Sequence, residues 1–268
     1  MRGFCPLASG SKGNSIYVGS AKTRLLIDAG ISAKRVMQGL AQLKVDPGSI
    51  QAILVTHEHT DHIASLATLS NQLGIPVVAN AETAKAIVAA LGVQPRFQIF
   101  VTGETFQIGD IEISSFSVPH DALDPVGFVM QLEGKKVGFC TDLGHATSLV
   151  KKRLERSDYL YLEANHQVSM VHACSRPNVY KERVLGRQGH LSNDQCAQLL
   201  RELIHPNLKH VHLAHLSSEC NAPEVALEVV GKELTDKVGL SIALQEEPSK
   251  AVHFFEGAGG GGRAGGFG

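Results

Sequence analysis

Short apolar runs typical of strands alternate along the chain with stretches whose apolar residues recur at helical spacing. The strand-like runs are 15–18, 24–27, 52–55, 97–101, 111–118, 126–132, 136–140, 159–163, 210–214 and 240–244. The helix-like stretches are 33–43, 62–73, 82–91, 146–155 and 193–204. Strands and helices mix in two broadly similar halves, so the pattern predicts an α/β protein with two packed sheets and helices outside them.

Length and composition narrow the class of protein. The chain has 268 residues, 43% of them hydrophobic, which is enough to bury a full core, and we expect a single domain over residues 1–256. Residues 257–268 are mostly glycine and are expected to form a flexible tail outside the fold. The sequence has no apolar stretch of about 18 residues and no basic-then-apolar signal pattern, which favours a cytoplasmic protein without a membrane segment.

The charge balance argues against a protein that coats nucleic acid through positive potential alone, because the formal net charge is −1. A polyanion would have to meet a local basic segment, and the candidates are residues 176–187 and 151–153; solvated surface is the alternative for each. The five cysteines are odd in number and form no C-x-x-C pair. They therefore predict reduced, mostly buried thiols rather than a disulfide framework or a cysteine-based zinc site.

The most informative motif is the H-x-H-x-D-H string at residues 57–62. It follows a strand-like run, so His57 and His59, two residues apart, can leave the strand end on the same side and bind one ion. Apolar residues at helical spacing come next, which places Asp61 and His62 where a loop enters a helix and can face a second ion. Imidazole and carboxylate ligands suit zinc, and they also accept manganese or iron. The string predicts a metal site rather than a solvated His-rich turn.

Three more metal-capable residues, His120, Asp142 and His215, each follow a strand-like run. One partition of the ligands assigns three side chains to each of two divalent ions, with Asp142 bridging them. The sets are His57, His59 and His120 for one ion and Asp61, His62 and His215 for the other. Two such ions could hold a hydroxide between them and bind the oxygens of an in-line displacement. Asp28 is expected to support the ligand loop by hydrogen bonds, with an ordinary turn aspartate as the alternative.

These residues, in this order, resemble the metal-site pattern of the metallo-β-lactamase fold over nearly the whole chain up to the glycine-rich tail. The resemblance implies a four-layer αββα sandwich with a metal site at one edge. More specific strings are Ser9–Ser15, His120–Ala122 with Asp124–Gly127, Leu162–His166, Gly189–Asn193 and Leu213–Ser217. They look like the WalJ/YycJ group, which implies a metal-dependent 5′→3′ exonuclease with DNA as its partner. Gln167 departs from that group, which usually has Asp at this position.

Candidates for contact with the substrate lie outside the metal ligands. His190 follows the basic segment 176–187 and is our candidate for the catalytic residue that acts together with Asp61, by stabilising the transition state or protonating the departing oxygen. Further candidates for substrate contact are Ser11, Asn14, His166 and Ser192. A tight turn is the alternative for the loop of Ser11 and Asn14. The alternative for His190 is a structural neighbour of a helix cap, because residues 192–194 also look like a helix start. His166 and Glu163 close a strand-like run, and either could face the cleft.

Two other functions stay open at this point. A thioester or lactam hydrolase could use the same metal pair, although Ala64 and Ser65 stand where thioesterases of this fold usually have a Gly pair. A non-catalytic regulatory module stabilised by metal is the other, and the large ligand set disfavours it, because structural zinc sites are usually closed to water.

Overall fold

The computed structural model describes residues 1–254, which form two seven-stranded β-sheets and the helices around them. The strands are β1 Gly3–Ala8, β2 Ser15–Gly19, β3 Arg24–Ile27, β4 Ala52–Leu54, β5 Val77–Asn80, β6 Phe97–Phe100, β7 Thr105–Ile108, β8 Ile111–Ser117, β9 Val126–Leu132, β10 Lys135–Cys140, β11 Tyr159–Glu163, β12 His210–Ala214, β13 Gly239–Ile242 and β14 Val252–His253. The helices are α1 Ala33–Gln42, α2 Thr60–Ile63, α3 Leu66–Leu73, α4 Ala81–Leu91, α5 Ser148–Leu154, α6 Val168–Ala173, α7 Asn178–Leu185, α8 Asn193–Leu203 and α9 Pro223–Gly231, with a 3₁₀ turn at Pro47–Ser49. The glycine-rich tail expected at 257–268 lies outside the described residues.

Both sheets combine an antiparallel part with a parallel part. In the first sheet the strand order is β14-β1-β2-β3-β4-β5-β6, and the pairs from β3 to β6 are parallel. In the second sheet the order is β13-β12-β11-β10-β9-β8-β7, and the pairs from β10 to β13 are parallel. Parallel strands present their carboxyl ends at one edge of a sheet, so the loops that follow them lie side by side.

Alternation of side chains along the strands creates the layers. Leu25 and Ile27 on β3 lie in a core shared with Phe128 and Tyr161 of the second sheet, whereas Leu26 between them packs in a different cluster with α1, α3 and α4. A third cluster joins the outer face of the second sheet to α5, α8 and α9. The arrangement is helix, sheet, sheet, helix, and the αββα sandwich expected from the sequence is confirmed.

The prediction of one helix over 62–73 was wrong, because the segment divides into α2 and α3 at Ser65. A continuous helix would need a bond from the Ser65 N–H to the Asp61 carbonyl. In the structure Ser65 N donates instead to the Ala29 carbonyl at 2.9 Å, and the Asp61 carbonyl accepts from Asn14 N at 2.8 Å. The break therefore turns the Asp61 backbone towards the first loop of the protein. Within residues 1–254 no helix has both the length and the apolar character to cross a membrane.

Candidate metal centre

The predicted ligands come together where the two sheets present the carboxyl ends of their parallel strands. The H-x-H-x-D-H string follows β4, and Asp28 follows the neighbouring strand β3. In the second sheet Asp142 follows β10, Glu163 ends β11 and His215 follows β12. Three of these residues, Asp28, Asp142 and His215, have left-handed backbone conformations, with φ of 61°, 55° and 55°. Such conformations are uncommon for residues other than glycine and concentrate at functional sites.

The first ligand group, which we call the His57 group, consists of His57, His59 and His120. Their ligand atoms lie within 4.8 Å of one another. His120 Nε2 lies 3.3 Å from His59 Nδ1, so different ring nitrogens face the centre of the group. The other ring nitrogens are held from outside, because Nδ1 of His120 donates to the Gly189 carbonyl at 3.1 Å and Nδ1 of His57 lies 3.0 Å from the Thr56 hydroxyl.

The second ligand group, called the His62 group below, consists of Asp61, His62 and His215, again with ligand atoms within 4.8 Å. Asp61 Oδ2 lies 3.6 Å from His62 Nε2 and 3.7 Å from His215 Nε2. Asp142 lies between the two groups. Its carboxylate is 3.4 Å from His62 Nε2, 3.3 Å from His215 Nδ1 and 3.7 Å from His120 Nε2. The geometry thus brings together the two sets and the bridging carboxylate proposed from the sequence.

Two buried carboxylates support the His62 group from behind. Asp28 accepts from His62 Nδ1 at 2.8 Å, and its oxygens also accept from the backbone N–H and the hydroxyl of Thr56, each at 2.9 Å. Glu163 accepts from Nδ1 of His215 at 2.9 Å and from Nδ1 of His190 at 2.8 Å. A carboxylate on the outer nitrogen fixes the ring and makes the inner nitrogen a stronger metal ligand.

The electrostatic surroundings differ between the groups. Burial lowers the pKa of His57 well below its usual value, with a further contribution from neighbouring imidazoles, and burial also lowers the pKa of His120. In the His62 group burial acts in the same direction, but Asp142 and Asp28 outweigh it and raise the pKa of His62 to about 9. Asp142, Asp61 and Glu163 likewise raise the pKa of His215.

The donor set fits metal ions. Three buried atoms of the two groups and of the carboxylate between them, which are His57 Nε2, His215 Nε2 and Asp142 Oδ2, have no hydrogen-bond partner within residues 1–254. Leaving such atoms buried and unsatisfied costs about 1–3 kcal/mol each, and divalent cations would satisfy all three. Imidazole and carboxylate donors in two adjoining sets suit a binuclear centre of zinc or a neighbouring transition metal.

Asn14 lies beneath the ligand loop. Its side-chain amide lies 3.3 Å from Asp61 Oδ2 and 3.0 Å from His62 Nε2, and only 5% of the residue is exposed. Gly30 packs against the same loop so closely that a Cβ there would lie 1.6 Å from the Asp61 carbonyl oxygen. These contacts give Asn14 a role in positioning Asp61, and little of its surface is left for the contact with substrate that the sequence suggested.

A cavity of about 210 Å³ opens onto both ligand groups. Ser11 and His190 line it, as do Ser217 and three residues of α7, which are Tyr180, Arg183 and Val184. His190 is partly exposed, and its Nδ1 is taken by Glu163, so Nε2 is the nitrogen available to a ligand in the cavity. His190 and Ser11 are therefore placed where they can contact a substrate.

Two other candidates for substrate contact lie away from this cavity. Ser192 is the N-cap of α8, where its hydroxyl accepts from Gln195 N and the Gln195 side chain accepts from Ser192 N, which together form a capping box. The helix start that the sequence indicates at residues 192–194 is thus present in the structure. His166 is 1% exposed and is not among the residues that line the cavity.

Sequence reasoning left the role of Glu163 undecided and missed Asp121 and Thr56. Asp121 follows His120, lies 3.3 Å from its Nε2 and accepts from Arg183 Nε at 2.7 Å. An acidic residue at the end of a strand-like run was the only signal for Glu163. No pattern in the sequence distinguishes Asp121 or Thr56 from loop residues in general, because their roles depend on contacts with distant parts of the chain.

Comparison with known proteins places these findings in a family. Residues 23–213 match the family model described as a beta-lactamase superfamily domain. Exodeoxyribonuclease YycJ of Bacillus anthracis is 36% identical over 236 residues, which cover 87% of this chain and 89% of the relative. Exodeoxyribonuclease WalJ of Streptococcus pneumoniae strain D39 is 38% identical over 224 residues, covering 82% and 83%. The structure of the metallo-β-lactamase fold protein YhfI of Bacillus subtilis superposes with a TM-score of 0.69 over 91% of this chain and 97% of that chain, at 13% identity.

The chain belongs to the metallo-β-lactamase superfamily, and with its clustered ligands it is a metal-dependent hydrolase. Its similarity to YycJ and WalJ extends over more than four fifths of all three chains. Within the superfamily it therefore belongs to the YycJ/WalJ group, and the resemblance drawn from the sequence is confirmed. YhfI, at its low identity, supports the fold alone.

Proposed function

We propose that the protein is a 5′→3′ exonuclease that hydrolyses phosphodiester bonds in DNA at the centre formed by the His57 and His62 groups. Three observations support this function. The relatives that cover most of the chain are named exodeoxyribonucleases. The ligand atoms of both groups converge beside one cavity. The cavity also contains a histidine, His190, that is held by a buried glutamate and is free at its other nitrogen.

The observation that carries the proposal is the set of unsatisfied ligand atoms, His57 Nε2, His215 Nε2 and Asp142 Oδ2. The His57 and His62 groups with Asp142 would hold two divalent ions, which we expect to be zinc, and bound there these ions would supply an activated water as nucleophile and positive charge for the phosphate oxygens. The described residues hold no serine or cysteine hydrogen-bonded to these histidines in a nucleophile–base pair, in keeping with attack by water.

Other residues of the chain position the ligand rings, transfer a proton and contact the substrate. Asp28, Glu163 and the Gly189 carbonyl hold the ligand rings in place, which keeps the reacting atoms in register. His190 Nε2 donates a proton to the departing oxygen or a hydrogen bond to the phosphate, and Glu163 keeps Nδ1 as the donor towards itself. Ser11, on the exposed loop before Asn14, contacts the substrate at the mouth of the cavity.

The polarity of the reaction is tested with a DNA duplex labelled at one 5′ end. The metal-loaded protein is expected to release labelled mononucleotide or very short product at the earliest times. A matched duplex labelled at the 3′ end should lose length stepwise before its label is released. Label first appearing in internal fragments of many sizes would show an endonuclease, and rapid thioester hydrolysis with no attack on DNA would show a different substrate class.

A further inference from the structure

A second concave surface, which we call the Arg187 groove, adjoins the catalytic cavity. His145, Arg187 and Gln188 line it, and it shares Asp121, Arg183 and Gly189 with the cavity. Its volume is about 580 Å³. Because three lining residues are common to both spaces, a chain molecule bound at the metal centre has the groove directly beside it.

The loops that build the groove are the loops that carry the site. His145 comes three residues after Asp142, and Arg187 comes three residues before His190. The two loops touch at Gly144, where a Cβ would lie 2.2 Å from the Arg187 carbonyl oxygen, and Gly144 N donates to the carbonyl of Pro119, directly before His120. Three residues of chain span at most about 11 Å, so the groove lies close to the ligands.

Arg187 differs from the other arginines of its segment. Arg176 is paired with Glu219 and Arg183 with Asp121, whereas the Arg187 guanidinium has a histidine as its partner. His145 Nδ1 lies 3.0 Å from the Arg187 carbonyl, to which it can donate, and its Nε2 then accepts from Arg187 Nη2 at 3.3 Å. A neutral ring used in this way holds the guanidinium in place without neutralising its charge.

Among the described residues that line the groove, Arg187 is the cation that has no carboxylate partner. Arg183 is offset by Asp121, and Glu182 is an exposed acid on the same lining. Arginine binds phosphate through a planar fork of donors, and a guanidinium already held in position loses less side-chain freedom on binding. The groove thus offers one positioned phosphate-binding side chain rather than a broadly basic surface.

We propose that the Arg187 groove binds the phosphodiester next to the one being hydrolysed, with Arg187 as the phosphate ligand and His145 as the residue that positions it. This inference rests on the proposed function, because it takes the substrate to be a nucleic acid strand. It adds that recognition needs at least two successive phosphodiesters, one at the metal centre and one in the groove. A substrate with a single phosphodiester would leave the groove empty.

Fluorescence anisotropy tests the groove separately from hydrolysis. The probe is a labelled single-stranded DNA octamer with phosphorothioate linkages, which slow its cleavage, titrated with the metal-loaded full chain. Arg187→Ala is expected to raise Kd about tenfold and to reduce the slope of log Kd against log salt by about 0.7. His145→Ala should raise Kd by a smaller factor, and Arg187→Lys should lie between the wild type and Arg187→Ala.

Arg96→Ala is the matched control, because Arg96 is exposed and donates to the Gly74 carbonyl. It stands at the start of β6, at the amino ends of the parallel strands, whereas the metal ligands follow their carboxyl ends. Equal weakening of octamer binding by Arg96→Ala and Arg187→Ala, or a Kd of Arg187→Ala within twofold of the wild type, would refute phosphate binding in the groove.

A kinetic comparison adds a second readout. Arg187→Ala should lower the ratio of kcat/KM on DNA to that on bis(p-nitrophenyl) phosphate about tenfold. A wild-type protein that binds the octamer but does not cleave ordinary DNA would refute the proposed function, whereas weaker binding by Arg187→Ala in that same protein would still show that the groove binds phosphate.

Discussion

The His57 group and the His62 group meet at Asp142, but the atoms behind their imidazoles differ. His62 and His215 are backed by the carboxylates of Asp28 and Glu163. The rings of the His57 group are backed by neutral oxygens, the Thr56 hydroxyl and the carbonyls of Gly189 and Asp121. A carboxylate makes the inner nitrogen a stronger ligand, whereas a neutral oxygen mainly fixes the orientation of the ring. The two halves of the centre are therefore expected to differ in metal affinity and in proton exchange.

The largest loss of activity is expected from replacing Asp142, the residue that lies against both ligand groups. Asp142→Asn keeps the shape of the side chain and removes the charge, so both groups lose their common carboxylate. Nuclease activity should fall at least about a thousandfold, with metal lost from both groups. Activity and the metal content per folded chain are measured on one preparation, and two ions with activity within tenfold of the wild type would contradict the bridging role.

Replacing Asp28 and Glu163 one at a time measures how much each carboxylate contributes to the His62 group. Asp28→Asn and Glu163→Gln should each lower metal affinity or activity about 10- to 100-fold, because the rings in front of them lose a negative partner. Glu163 also holds His190, so Glu163→Gln alone should still lower kcat when metal is saturating. Metal titration followed by steady-state kinetics at excess metal separates the two effects. If excess metal restored kcat equally in both variants, the contact of Glu163 with His190 would have no part in the reaction.

The smallest effect concerns protons. Metal uptake by the metal-free protein at pH 7 should release about one or two protons from the His62 group, because the pKa values of His62 and His215 are raised. The His57 group should release fewer, since the pKa of His57 is lowered. Calorimetry of metal binding in two buffers of different ionisation enthalpy counts the protons, with His59→Ala as the variant that keeps the His62 group intact. Similar proton release from both groups would show that they do not differ in protonation.

The same shifts set the pH dependence of the metal-free fold. A histidine whose folded pKa is raised stabilises the protein fully below its unfolded pKa, near 6.5, and that contribution is lost as pH rises through the folded value. For His62 the folded pKa is about 9. The melting temperature of the metal-free protein should therefore fall between pH 6.5 and 9, and the metal-loaded protein should show a weaker dependence. A melting temperature that rises over this interval would contradict the raised pKa of His62.

The sequence allowed much of the fold to be predicted, and it identified the residues that the structure brings together at the candidate metal centre. The H-x-H-x-D-H string is contiguous, and His120, Asp142 and His215 each lie within three residues of the end of a strand, so their positions along the chain were informative. The supporting residues were harder. Glu163 contacts His215 from 52 positions away, and the role of Asn14 depends on Asp61, 47 positions away. Such contacts arise from packing of the two sheets and leave no local pattern.

Some elements were missed for local reasons. Strand β1 contains a proline and begins with a glycine, which weakens its strand pattern, and β7 has only 4 residues, too few for its alternation to stand out. Helices α6 and α7 were not predicted, although α7 supplies part of the cavity wall. Their short length and weakly amphipathic sequences give little periodic signal. The basic segment 176–187 was noticed as charge, but the distinction between Arg187 and its paired neighbours required the structure.

Diffraction from metal-loaded crystals, with anomalous scattering recorded at the absorption edge of the bound metal, tests the central claim most directly. Two neighbouring peaks are expected, one contacted by His57, His59 and His120 and the other by Asp61, His62 and His215, with Asp142 reaching both. A single peak, or a centre without metal in which these rings point away from one another, would contradict this claim.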